Sequence, residues 1–240
     1  MDILNTKSLE CNNKFRVNFD GGNLSSDAGA LLLKEFICKV GFDKLIKRIF
    51  KTNDTALRIH KDDENLAQII LQIICGYFED DCADELSSDP ILTAVLGKKK
   101  LASQPTLSRF FNRLDDDTLR QFYHLQREMR KIVYAIKNPD IILLDLDSTL
   151  FDTYGHQEGE GFNFHYKNHG YHPLVCFDGI TGDLLKIELR DGTVYSCTGV
   201  TDFLQPLLDE FLQSYPKTSL LLRGDSGFAT PDLYKQCETN

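Results

Sequence analysis

The sequence predicts an α/β chain (α+β) in which a mostly helical section, residues 1–139, precedes a sheet-containing section, residues 140–240. Three observations predict it. Leu66, Ile69, Ile70, Ile73, Ile74, Tyr77 and Phe78 recur at helical spacing in the first section. In the second, Ile141-Ile142-Leu143-Leu144-Asp145-Leu146-Asp147 and Ser219-Leu220-Leu221-Leu222-Arg223-Gly224-Asp225 are strand-length apolar runs that end in carboxylates. Between them, Asp178-Gly179-Ile180-Thr181-Gly182-Asp183 has the composition of a hairpin turn.

The first section reads as follows. Phe15 to Phe19 alternates apolar and polar residues, as a short strand does, and Asp20-Gly21-Gly22 turns it. Ser26 is placed to cap a helix over 27–40, stopped by Gly41, and a short helix carrying Leu45, Ile46 and Ile49 follows. The helix over 64–78 gives way to aspartates at 80, 81, 84 and 89, read as solvated surface because their spacing misses the calcium-loop pattern. Ile91 to Leu96 is helical, Gly97-Lys98-Lys99-Lys100 breaks it, and Ser103 with Pro105 starts another helix. Leu107, Phe110, Phe111 and Leu114 form its apolar face, which leaves Ser108, Arg109, Asn112 and Arg113 outward. Two short helices with a basic outer face resemble a helix-turn-helix, and equally any helical hairpin with a solvated face. Asp115-Asp116-Asp117 then opens a long helix, its acidic start and basic end suited to the helix dipole, and Asn138-Pro139-Asp140 closes it.

The second section has strands over 141–147, 173–177, 184–189 and 220–223, with a helix from Thr201 as crossover to the last. Three strands with a hairpin, a crossover helix and a strand ending in Asp match the order of a ribonuclease H-like core. A helix begins at Thr230-Pro231.

Composition bounds the function. The chain is 240 residues long, 42% hydrophobic and 26% charged, as ordinary soluble globular proteins are. No apolar run reaches membrane-spanning length, and Met1-Asp2-Ile3-Leu4-Asn5 lacks the features of a signal peptide. The 7 Cys are scattered without a C-x-x-C pair, which fits a reducing cytoplasm better than a disulfide framework. Residues 1–140 hold 21 basic and 21 acidic side chains, whereas 141–240 hold 6 and 15, the whole of the −9 net charge. Within the first part, 90–137 holds 10 basic and 4 acidic residues. That contrast predicts a basic contact surface in front and an acidic, metal-loading section behind, although acidity kept for solubility accounts for the rear as well.

Two carboxylates delivered from strands far apart in sequence suggest a divalent-metal site for phosphate chemistry, because hard cations take oxygen ligands. Asp145-Leu146-Asp147-Ser148-Thr149-Leu150 also fits D-x-D-x-T-L, the motif of haloacid-dehalogenase-type phosphatases. On that reading the chain is a magnesium-dependent phosphohydrolase with Asp145 as nucleophile. The motif usually opens its domain, however, and Asp225 and Asp232 do not reproduce that family's second acidic pair.

A second resemblance covers nearly the whole chain. It is carried by Gly21-Gly22-Asn23-Leu24-Ser25-Ser26-Asp27-Ala28-Gly29, Gln104-Pro105-Thr106-Leu107-Ser108-Arg109, Leu144-Asp145-Leu146-Asp147-Ser148-Thr149, Tyr154-Gly155-His156-Gln157-Glu158-Gly159, Gly170-Tyr171-His172-Pro173-Leu174 and Arg223-Gly224-Asp225-Ser226-Gly227-Phe228. In this order they resemble insertion-sequence transposases of DDE domain group 1, the thirteen-eighty insertion-sequence family. The resemblance implies a ribonuclease H-like catalytic domain and two-metal DNA cleavage and strand transfer with Mg2+, for which Mn2+ may substitute. Asp147 and Asp225 carry over as catalytic metal ligands, with Asp145 a supporting acid or exchanging roles with Asp147. The implied partners are terminal inverted repeats and target DNA, with a homo-oligomer in the full-length enzyme. Lys98, Lys99, Lys100, Ser108, Arg109 and Arg113 are the candidate DNA contacts of the first section. The family's third carboxylate, a Glu, is expected well beyond Asp225, and Glu238 comes too soon. The expectation is therefore a C-terminally truncated transposase that binds magnesium poorly and lacks full activity, with a non-catalytic DNA-binding remnant as an alternative.

The stretch 154–172 is rich in Gly, Tyr and His. His165, His169 and His172 have spacings compatible with zinc but lack a fourth ligand. The favoured reading is a mobile loop touching the DNA end through Tyr166, Lys167 and Tyr171, whose rings can stack on unpaired bases; a turn packed on its own rings is the alternative.

Overall fold

A computed structural model describes residues 7–18 and 26–239. The expected turn at Asp20-Gly21-Gly22 and the opening residues Met1 to Asn5 lie outside them, as does most of the early glycine-rich motif. The chain divides into two compact units, Met1–Val133 and Tyr134–Asn240.

In the first unit, β1 (Lys7–Ser8) and β2 (Arg16–Val17) pair antiparallel. Helices α1 (Ala30–Val40) and α2 (Phe42–Ile49) meet at Gly41, whose φ of 72° ends one and starts the other. α1 starts later than expected, after a turn through residues 26–29. Next come α3 (Asp62–Ile74), α4 (Cys82–Leu86), α5 (Pro90–Leu96), α6 (Gln104–Phe111) and α7 (Asp116–Ile136). The aspartates after α3 are not merely solvated. Asp89 caps α5 by accepting from the backbone N–H groups of Ile91 and Leu92, and Asp84 accepts from Gln104 N at the start of α6. Ser103 occupies the expected cap position of α6, but its side chain makes no capping bond. α5 packs on α1 and α3, and α6 on α3 and α4, with residues 97–103 between them. That connection is longer than a helix-turn-helix turn, so the pair departs from the expected motif. Leu45, Ile46, Phe50, Leu66, Phe110 and Leu125 form one core of this unit.

The expected boundary after Pro139 lies instead inside α7. Tyr134 is buried in the second unit's core, stacks edge-on to Tyr215 at 5.1 Å and donates to the Asp178 carboxylate. In this unit β3 (Ile141–Ser148), β4 (Phe151–Asp152), β5 (Gly161–Asn163), β6 (Asn168–Tyr171), β7 (Leu174–Asp178) and β8 (Leu184–Glu188) are followed by α8 (Val200–Ser214), β9 (Ser219–Arg223), a 3-10 turn (Ser226–Phe228) and α9 (Pro231–Thr239). The main sheet has the order β8-β7-β3-β9, with β7 antiparallel to both β8 and β3, and β9 parallel to β3. This is the strand order expected of a ribonuclease H-like core. Burial alternates along β3. Ile142, Leu144 and Leu146 share a core with Phe203, Leu204, Leu207 and Phe211 of α8, so Asp145 and Asp147 take the other face. The stretch 154–172 is no open loop. β4, β6 and β5 make a small antiparallel sheet of their own. Gly170 is required there, since a Cβ would lie 2.2 Å from Phe151 O.

Candidate functional site

Parallel pairing of β3 with β9 sets Asp145 opposite Arg223. Two residues further along each strand stand Asp147 and Asp225. Both acids therefore leave the same end of neighbouring parallel strands, where α/β sheets hold ligands, and both are exposed. Asp225 Oδ1 accepts from Gly227 N at 2.8 Å, and Asp147 Oδ1 from Ser148 N at 2.7 Å, so each carboxylate is oriented by the backbone that follows it. Phe228, buried in the core, anchors the Asp225 loop, and a Cβ on Gly224 would crowd its ring at 3.1 Å.

The Asp145 carboxylate is differently placed. Arg223 grips it in two-pronged fashion, Nε to Oδ1 at 2.8 Å and Nη2 to Oδ2 at 2.5 Å. The hydrogen bond from Arg223 holds the Asp145 carboxyl below its ordinary range, against partial burial, and the same bond raises Arg223. An acid so engaged suits alignment of two strands better than nucleophilic attack or metal ligation.

A second layer ties the two strand ends together. Ser148 Oγ donates to Ser196 Oγ at 3.0 Å, and a Cβ on Gly227 would come within 3.6 Å of Ser196 Cβ. The buried Arg190 fixes Ser196 in turn, donating from Nη1 to the carbonyls of Ser196 and Thr198, and from Nε to that of His172. Burial lowers the Arg190 pKa. His172 is buried and bonds Val194 O through Nδ1 at 2.7 Å. Sequence reasoning missed Ser196 and Arg190 altogether; their segment, 189–199, carries no periodic pattern.

The three histidines do not converge. His172 is engaged as described, His169 faces Glu160 at 3.2 Å and His165 rests on the Tyr166 ring. Among the described residues, no group of three or more His, Cys, Asp or Glu is placed to hold a metal ion. Asp147 and Asp225 supply oxygen donors from neighbouring strand ends, the donor type that hard divalent cations take.

The expected DNA contacts separate into two sets. Lys99, Lys100 and Arg109 are exposed, with Ser108 half-buried beside them. Lys98, a candidate DNA contact, and Arg113, expected to face outward, are engaged within the protein instead. Lys98 pairs with Glu64, and Arg113 lies against the Phe110 ring, bonding Asp62 at 2.5 Å. Burial by itself would raise the Asp62 pKa, but hydrogen bonds from Thr52 and Arg113 outweigh it and hold that carboxyl low. In the small sheet, Tyr166 donates its hydroxyl to Ser148 O at 3.2 Å and Tyr171 to Glu158 O at 2.6 Å, while Lys167 stays exposed.

A family model described as transposase DDE domain group 1 matches residues 7–240. No curated protein matches. Among solved structures, the Mos1 transposase paired-end complex with left transposon end aligns at 14% identity and a TM-score of 0.28, over 85% of this chain and 65% of that one. Among the described residues, no helix is long and apolar enough to cross a membrane.

Proposed function

The chain belongs to the transposase DDE domain group 1 family, and from that membership we propose that Asp147 and Asp225 are the carboxylates of a metal-dependent DNA cleavage and strand-transfer site. The observation that carries the reading is the β3–β9 pairing, which delivers both acids to one sheet edge. Bound there, two magnesium or manganese ions shared with a third carboxylate would activate water and stabilise the leaving 3′-oxygen. The chain's own residues keep the two strand ends in register. Arg223 and Asp145 align them, while Ser148, Ser196 and Arg190 brace the turns that follow. The Gly227 N–H holds one oxygen of the Asp225 carboxylate.

Lys99, Lys100, Arg109 and Lys167 are the proposed phosphate contacts, with Ser108 a neutral one beside Arg109. They would engage the element's terminal repeats and target DNA largely through charge, so that binding weakens with salt. Self-association and a cytoplasmic setting accompany this reading. The phosphatase alternative is not favoured, since its nucleophile Asp145 is already gripped by Arg223.

The test is cleavage, with either metal, of DNA that carries the element's own ends. Asp147→Asn and Asp225→Asn should each abolish nicking while DNA binding persists. Nicking that survives both substitutions would overturn the proposal.

A further inference from the structure

We propose that the hairpin tip joining β5 and β6, residues 163–168, is a preformed stacking site for an unpaired DNA base. Phe164 serves as the platform and Lys167 as the phosphate partner. The proposal rests on the reading of Asp147 and Asp225 as a DNA-cutting site and adds the state of the DNA held beside it.

Phe164 is 84% exposed although its loop is well ordered by its own bonds. Asn163 Oδ1 accepts from the backbone N–H groups of His165 and Tyr166 at 3.0 and 3.2 Å, and Asn163 O from Lys167 N at 2.7 Å. Asn163 Nδ2 donates to Gly192 O at 2.9 Å, tying the tip to the segment that carries Ser196. Lys167 takes a left-handed conformation, with φ of 55°, to close the turn. A ring held in water by a braced loop is not exposed through slackness. It meets Phe162 at 5.2 Å in a T-shaped pair, and Phe162 meets His169 likewise at 5.3 Å, so the platform is itself supported. Because the loop is ordered before any ligand arrives, stacking on it costs little conformational entropy.

Two further observations select DNA, and an unpaired base in particular. Tyr166, two residues along, donates to the carbonyl of Ser148, the neighbour of Asp147, which joins the tip to the cutting site. Lys167 at the same tip is exposed and makes no ion pair among the described residues, so a cation accompanies the ring. An aromatic face with an adjacent cation matches a base and its phosphate. A base inside an intact duplex keeps its faces stacked on its neighbours, whereas an unpaired one offers a face to the ring.

The experiment uses the full chain and fluorescence anisotropy with a labelled single-stranded oligonucleotide and a blunt duplex of the same sequence. Phe164→Ala should weaken single-strand binding by about tenfold and leave duplex affinity within about twofold, and Phe164→Trp should restore the single-strand affinity. Unchanged single-strand affinity in Phe164→Ala, or equal losses on both probes, would overturn the stacking site. Its failure is separable from failure of the cutting site. Cleavage dependent on Asp147 and Asp225, with Phe164→Ala binding normally, would remove the stacking proposal alone.

Discussion

Asp145 and Asp147 stand two residues apart on one face of β3, and a single guanidinium separates their roles. Arg223 bonds both oxygens of Asp145, while Asp147 is exposed and, among the described residues, accepts from the Ser148 N–H alone. Treatment with beryllofluoride, a phosphate mimic, should therefore leave Asp145 unmodified; an adduct there would restore the phosphatase reading. Arg223→Lys keeps the charge and loses the two-pronged geometry, so it should impair cleavage more than Lys99→Ala does. In the other unit, the Arg113 and Asp62 side chains are only 13% and 15% exposed. Removing Arg113 leaves a largely buried carboxylate with the Thr52 hydrogen bonds but no cation, and Arg113→Ala should lower unfolding stability by about 3 kcal/mol in a urea titration. The Asp62 pKa is depressed in the folded chain. Its contribution should thus be complete above an unfolded value of about 3.9 and fade as pH falls through the lower folded value. Acid unfolding of Arg113→Ala should be correspondingly less steep; the same steepness in both proteins would show that the pair carries no pH dependence.

Among the elements, legibility followed length and period. α3 and α8 are long enough for a helical period to be read, and β3 and β9 showed as strand-length apolar runs that end in carboxylates. The period of α3 pointed in part to the wrong face, since Ile73 and Ile74 are exposed and Asn65, Leu66, Gln68, Leu71 and Gln72 are the buried residues. The small sheet was not legible, because its strands of 2, 3 and 4 residues are too short to display a period. α4, with 5 residues, escaped for the same reason. The glycines held the missing signal. A Cβ on Gly192 would lie 2.1 Å from Gly170 O and 2.4 Å from Gly161 O, so three chain segments meet there without side chains. Gly192→Ala should therefore destabilise the second unit by roughly 1–3 kcal/mol. A melting temperature equal to that of the unaltered chain would show that the meeting is looser than its geometry indicates. The basic helix was half legible. Four-residue spacing put Arg109 and Arg113 on a common side of the expected helix, but α6 ends at Phe111, and the acids that claim Arg113 come from positions 54 and 62, which no local pattern reveals. Replacing Lys99, Lys100 and Arg109 with Ala should flatten the salt dependence of DNA binding by up to about one unit of slope for each cation lost. An unchanged slope would move DNA recognition elsewhere.

At the scale of the whole molecule, charge and chemistry divide along the chain. The balanced first section carries the exposed Lys99, Lys100 and Arg109, whereas the section from 141 onward holds the whole −9 net charge together with Asp147 and Asp225. The sheet order and the family were legible because long strands and ordered motifs are written locally. The brace through Ser196 and Arg190 was not, since it unites segments near 148, 172 and 227 that only the folded chain brings together. If the proposed site is right, Asp147 and Asp225 bind one common cation beside DNA. Fe2+ substituted for magnesium, in the presence of duplex DNA and ascorbate, cuts protein backbone close to where the metal sits. Cuts are expected on both segments, around 145–149 and 223–227, which Asp147→Asn and Asp225→Asn should each abolish and Phe164→Ala should leave in place. Cuts confined to one segment, or unchanged by those two substitutions, would contradict it.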